Sequence, residues 1–129
     1  MIRNRKVNAM YTFYQYPPCS TCKRAKAELD QLGVTYEAID IKQTPPSKED
    51  LLRWIQTEDF PLKSYFNTSG QVYRQMHLKE ILPTMTPEKA AELLSQNGML
   101  IKRPLLIKKG QLLQIGHRKA YADLFAEEG

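Results

Sequence analysis

The sequence predicts an α/β domain, a four-stranded mixed sheet with a helical insert between its two halves. Three observations carry this. Residues 11–41 read strand, helix, strand; residues 105–115 read as a β-hairpin; and the stretch between them holds helix-start signals with no strand pattern. No internal repeat or low-complexity tract complicates the order.

Tyr11-Thr-Phe-Tyr-Gln-Tyr16 is rich in aromatic and β-favouring residues and suits the first strand. Pro17 and Pro18 stop it. From Ser20 the residues favour a helix whose apolar stripe runs Cys22, Ala25, Leu29 and Leu32, at steps of three and four. Gly33 ends that helix, and Tyr36 to Ile41 alternates as a second strand, parallel to the first because a crossover helix joins them. Residues 1–9 show no periodicity of either kind. They are expected to be a flexible N-terminal extension with Met10 as an alternative start, or else a short outer strand, leaving residues 10–129 as a single domain.

The insert spans about residues 47–98. Ser47 caps a helix with Leu51, Leu52 and Ile55 inward; a short helical stretch starts near Pro61 and ends in the turn Asn67-Thr-Ser-Gly70. Thr86 then caps a helix with Pro87 at its first position and Ala90, Leu93 and Leu94 inward, ending at Asn97-Gly98. Trp54, Phe60, Tyr65 and Phe66 read as core for the insert. Beyond it, Leu105–Ile107 and Leu112–Ile115 flank Lys108-Lys-Gly110-Gln, a hairpin with Gly110 at positive φ. A last helix runs from about Lys119 to Ala126 with Ala120, Tyr121 and Leu124 inward, and His117 reads as a helix-start or surface residue.

Both cysteines of the chain, Cys19 and Cys22, fall where the first strand meets the first helix. Cys19 takes the N-cap. Unpaired backbone N–H groups and the positive end of the helix dipole stabilise an anion there, so its thiolate should form at a lowered pKa, with Lys23 adding charge. Cys22 lies on the inner face of the first turn, close enough to close a small ring with Cys19, as a resolving thiol must be. A structural zinc site would need four ligands, and the only histidines, His77 and His117, are far apart in sequence. The pair is therefore read as a redox site, with zinc and inert thiols as the other readings.

A net charge of +5 and a pI near 9.2 admit an anionic partner, but acids are interspersed among the lysines and arginines, which favours a solvated surface over direct sequence-specific DNA binding. No apolar run approaches the roughly 18 residues of a membrane span. No signal peptide is evident either, so the expected location is the cytoplasm.

A Cys-x-x-Cys after the first strand, an internal helical insert, Lys-Arg103-Pro104 before a hairpin and a closing helix together resemble the arsenate reductase and Spx family. The resemblance covers about Met10 to Phe125. Phe66-Asn-Thr-Ser-Gly70 and Met99-Leu-Ile-Lys-Arg-Pro104 make it specific, and it is closest to those members that carry Cys-x-x-Cys with Phe-Asn-Thr-Ser-Gly. It implies a thioredoxin-like (glutaredoxin-like) fold, Pro104 as a cis-proline facing the cysteines, and Arg103 on the substrate side. It also implies no metal or organic cofactor, with an external thiol reductant from the glutaredoxin, glutathione or thioredoxin systems.

The arsenate reductases of this family use one nucleophilic cysteine, a histidine four residues before it, and several arginines that hold the oxyanion. Cys19 and Arg103 match. The histidine position carries Gln15, and the segments expected to supply two further arginines read Phe66-Asn67-Thr68-Ser69 and Leu112-Leu-Gln-Ile-Gly116. A charged hydrogen bond is worth about 1.5–3 kcal/mol, so losing two lowers oxyanion affinity by about two to four decades. Arsenate is therefore not the main expected substrate; a protein disulfide or another oxidised group is.

The runner-up is Spx itself, a redox-sensing transcription regulator that binds the RNA polymerase α subunit. Cys19, Cys22 and Arg103 carry over to it as switch and contact, but the glycine its polymerase contact requires has no counterpart in Trp54-Ile-Gln-Thr-Glu-Asp-Phe60.

Overall fold

In a computed structural model of the chain, residues 11–128 are described, and the expected N-terminal extension lies outside them. Their contacts group into two compact units. One comprises residues 11–39 and 103–128; the other is Asp40–Lys102 and contains the expected insert. Among the described residues, no helix is long and apolar enough to cross a membrane.

The first unit is built on strands β1 (Tyr11–Gln15), β2 (Tyr36–Asp40), β3 (Leu105–Lys108) and β4 (Gln111–Ile115), in a mixed sheet of order β2-β1-β3-β4. β1 and β3 are antiparallel, with Tyr11 opposite Lys108 and Tyr14 opposite Leu105. β3 turns back into β4 through Lys109 and Gly110, at φ 49° and 83°, and positive φ at both positions is the turn whose twist matches the strands it joins. Leu105, Leu106 and Ile107 are all buried, as a central strand covered on both faces requires.

Helix α1 (Ser20–Leu32) lays Cys22, Ala25 and Leu29 on the sheet, and Ala25 and Leu29 join Tyr11, Phe13, Leu106 and Tyr121 in one core cluster. Leu32, expected inward, is 39 % exposed, one turn beyond that cluster. The closing helix, Tyr121–Glu128, begins two residues later than expected; Ala120 is exposed, and Tyr121, Leu124 and Phe125 face the cluster instead. Phe125 stacks on Tyr11 with ring centroids 4.9 Å apart. Buried Gln114 fixes the approach to this helix, accepting from the Lys119 N–H at 3.0 Å and donating to the Lys119 carbonyl at 3.2 Å.

In the second unit, α2 (Lys48–Gln56) and α5 (Pro87–Gln96) pack together. Ser47 and Thr86 cap them, each hydroxyl accepting a backbone N–H at 3.1 Å, from Asp50 and Lys89. Leu51, Trp54 and Ile55 are the buried stripe of α2, with Leu52 only half-buried; in α5 the stripe is Ala90, Ala91 and Leu94, with Leu93 half-buried. The short helices α3 (Gln71–Gln75) and α4 (Leu78–Ile81) were not expected. They are too brief to show a period, and His77 enters α4 at φ 54°.

With all helices placed, the closing one is α6 (Tyr121–Glu128). Gly98 follows α5 where a Cβ would stand 1.8 Å from the Ile41 carbonyl oxygen. Gly98→Ala must displace backbone, not a yielding side chain. It should cost about 2–3 kcal/mol and lower the thermal midpoint by roughly 10 °C in a circular-dichroism melt.

Candidate active site

β1 ends at Gln15, and the chain turns through Tyr16, Pro17 and Pro18 so that Cys19 caps α1 in extended backbone conformation, φ −74° and ψ 126°. Its N–H donates to the Tyr16 carbonyl at 2.9 Å, and its carbonyl accepts from Lys23 N–H at 3.0 Å. The first turn of α1 carries no acidic residue to oppose an anion. Both thiols are free. Cys19 is half-buried; Cys22, one turn on, is wholly buried, and its sulfur accepts the Tyr16 N–H at 3.4 Å.

The two thiols are driven apart in acidity. Burial alone would raise the Cys19 pKa. That is outweighed by hydrogen bonds from the Cys22 N–H, the Cys22 thiol and the Thr21 N–H, together with the Arg103 charge, and the net shift is downward. Burial also pushes Cys22 up, to about 12, and its role as donor to the neighbouring thiolate keeps its proton in place. The more accessible sulfur is thus the more acidic of the two, and the buried one holds its proton more tightly.

Arg103 is the cation whose charge acts on both sulfurs, and its guanidinium lies over the Tyr16 ring, 5.1 Å from the centroid. The Arg103–Pro104 bond is cis, as the resemblance implied. Pro104 is buried, and its carbonyl accepts the Gly116 N–H at 2.8 Å, tying the entrance of β3 to the end of β4. Lys23 is exposed on the first turn. Among the described residues, no group of three or more histidine, cysteine or acidic side chains could hold a metal ion.

Sequence reasoning missed the support behind the site. Glu28 of α1 accepts the N–H groups of Tyr121 and Ala122 at 2.8 and 3.0 Å and meets His117 Nε2 at 2.8 Å. His117 thus belongs to a clasp between α1 and the start of α6, not to the surface. No local pattern signals it, because the partners lie 89 to 94 residues apart in sequence.

A dithiol at the start of the helix that follows the first strand of a mixed four-stranded sheet defines a thioredoxin-like protein. The chain belongs to the ArsC family, which it matches over residues 14–123. A solved structure described as a possible arsenate reductase from Streptococcus mutans UA159 is 55 % identical and superposes with a TM-score of 0.89, covering 92 % of this chain and 99 % of that one. The uncharacterized protein YusI of Bacillus subtilis is 44 % identical over 108 residues, 84 % of this chain and 91 % of that protein. The global transcriptional regulator Spx of Streptococcus agalactiae serotype V is 27 % identical over 107 residues, 83 % of this chain and 76 % of its own length.

Replacing Arg103 by Gln should raise the Cys19 pKa and slow its alkylation by iodoacetamide at neutral pH roughly threefold, read as a shift of the rate-against-pH curve. Burial opposes ionisation of Glu28, but the Ala122 and Tyr121 N–H groups and His117 outweigh it, so its folded pKa is lowered. Its contribution to stability is thus present above the ordinary glutamate value and lost as pH falls through the lowered one. Glu28→Gln should cost about 1–2 kcal/mol near neutrality and flatten that acid limb in urea titrations.

Proposed function

We propose that this protein is a thiol-disulfide oxidoreductase working through a Cys19/Cys22 dithiol cycle. The observation that carries this reading is the opposed acidity of the two sulfurs: a lowered pKa on the more accessible one, a raised pKa on the buried one, and a hydrogen bond from the second to the first. Cys19 thiolate attacks a sulfur of the substrate disulfide, and the electron pair of the broken bond leaves with the departing thiol. Cys22 then attacks Cys19, releasing the second thiol and leaving the Cys19–Cys22 disulfide. An external thiol reductant, glutathione or thioredoxin, returns two electrons and two protons.

In this cycle Arg103 steadies the Cys19 anion and offers a positive charge to an anionic substrate or partner, with the Tyr16 ring beneath it. Pro104 shapes the docking edge and Lys23 adds charge at the rim. A pair reset by cellular thiols suits the cytoplasm. Arsenate is the weaker substrate, because the segments that would supply two further arginines read Phe66-Asn67-Thr68-Ser69 and Leu112-Leu-Gln-Ile-Gly116.

A second reading has its own support in the similarity to Spx. The same dithiol would then act as a switch that alters binding to the RNA polymerase α subunit. Absence of binding to the isolated α C-terminal domain in a pull-down, with the pair oxidised and with it reduced, would remove that reading.

NADPH consumption coupled to thioredoxin with its reductase, or to glutathione, glutaredoxin and glutathione reductase, tests the catalytic reading. A low-molecular-weight disulfide should be reduced by the wild type, with activity lost in Cys19→Ser. Arsenate turnover should lie at least about a hundredfold lower. Arsenate turnover equal to that of the disulfide, and abolished by Cys19→Ser, would overturn the substrate preference.

A further inference from the structure

One residue of the redox turn touches both cysteines and the cation beside them. The Tyr16 N–H donates to Cys22 Sγ at 3.4 Å, and its carbonyl accepts the Cys19 N–H at 2.9 Å. Its ring lies beneath the Arg103 guanidinium, 5.1 Å from Cζ to the ring centroid. The first two contacts are made by the backbone, and any residue with an N–H could make them. The third needs an aromatic ring.

The sheet sets that third contact. β1 and β3 pair antiparallel with Tyr11 opposite Lys108 and Tyr14 opposite Leu105, and the same register carried two residues past the last pair places Tyr16 across from Arg103. Residues directly opposite in an antiparallel pair project to the same side. Cys19 follows Tyr16 by one tight turn, closed by the Cys19 N–H bond, so the strand end that holds the ring also holds the sulfur. An arginine stem is long and flexible, whereas a guanidinium stacked on a ring has one face fixed and its N–H edge still available to an anion. Tyr16 and Arg103 are both half-buried, which leaves the pair partly open to a molecule approaching Cys19. The adjoining turn adds charge of the same sign, since Lys23 is exposed on the first turn of α1 and that turn carries no acidic residue.

We propose that Tyr16 is a positioning residue that holds the Arg103 guanidinium beside Cys19 and thereby makes the site select disulfides flanked by carboxylates over neutral or cationic ones. This rests on the dithiol cycle proposed above, in which Cys19 attacks such a disulfide. Tyr16 neither gains nor loses a proton or an electron in that cycle. Its ring acts through the cation it carries.

Disulfides that differ in charge test this. Reduced full-length protein is mixed in turn with dithiodipropionate, hydroxyethyl disulfide and cystamine, which are dianionic, neutral and dicationic, then quenched with acid for mass spectrometry. Each rate is divided by that of 2-mercaptoethanol with the same disulfide, which removes the disulfide's own reactivity. Wild type should favour the dianion over the dication by about tenfold at low salt, and the preference should shrink as salt is added. Tyr16→Leu should lower that ratio by more than about twofold, Tyr16→Phe should restore it, and Tyr16→Leu added to Arg103→Gln should change nothing further, as expected of two side chains that act as one unit. Every variant keeps the backbone bonds to the cysteines, and thermal melts check the fold, with Tyr16→Met taking the place of a leucine variant that fails to fold. A ratio in Tyr16→Leu within about twofold of wild type, an equal effect of Tyr16→Leu with and without Arg103, or a wild type with no charge preference overturns the inference. The same spectra report on the cycle separately. Wild type should pass to an internal disulfide lighter by two hydrogens, whereas a mixed disulfide that persists overturns the cycle and leaves the charge ratios readable.

Discussion

The constraint on which the site depends is the abrupt end of β1. Two prolines close the strand, and Cys19 follows directly as the N-cap of α1, beside the unpaired N–H groups of its first turn. A sulfur anion at that point receives donors from Thr21 and Cys22, and the cis Arg103–Pro104 step opens β3 with a guanidinium whose charge reaches it. The sheet order puts β1 next to β3, so residues more than 80 positions apart in sequence meet at one strand end.

The same turn that exposes one sulfur buries the other. Cys22 is a core residue, and in the proposed cycle also a reagent, continuous with Ala25 and Leu29, so the apolar packing that stabilises α1 is also what holds its thiol protonated. Stability and reactivity are set by one helix face. Glu28, on the flank of that face, joins α1 to the start of α6 and thereby ties the closing helix to the redox turn.

Legibility in the sequence followed range. The strand-proline-cysteine-helix junction, the caps at Ser47 and Thr86 and the Lys109-Gly110 turn rest on contacts within a few residues, and each is found as read. The inward faces of α2 and α5 were read correctly except at Leu52 and Leu93, which are half-buried, because apolar residues at neighbouring helical positions compete for one stripe and tertiary packing selects among them. The helices α3 and α4, of five and four residues, are shorter than the window in which a period can be recognised. The Glu28, His117 and Tyr121 group is assembled entirely by the fold. The cis bond at Pro104 came from family resemblance, since nothing local distinguishes it from the other prolines.

The unequal exposure of the two sulfurs has a consequence for oxidative damage. A peroxide arriving from solvent would meet Cys19 first, and the sulfenic acid it forms is the one rung of the oxidation ladder that a thiol can reverse. Cys22 stands a single turn away, shielded from the same oxidant, and under the proposed cycle would condense with that group to a disulfide, releasing water. On that reading the buried thiol is a safeguard stored out of reach of the reagent whose damage it would repair.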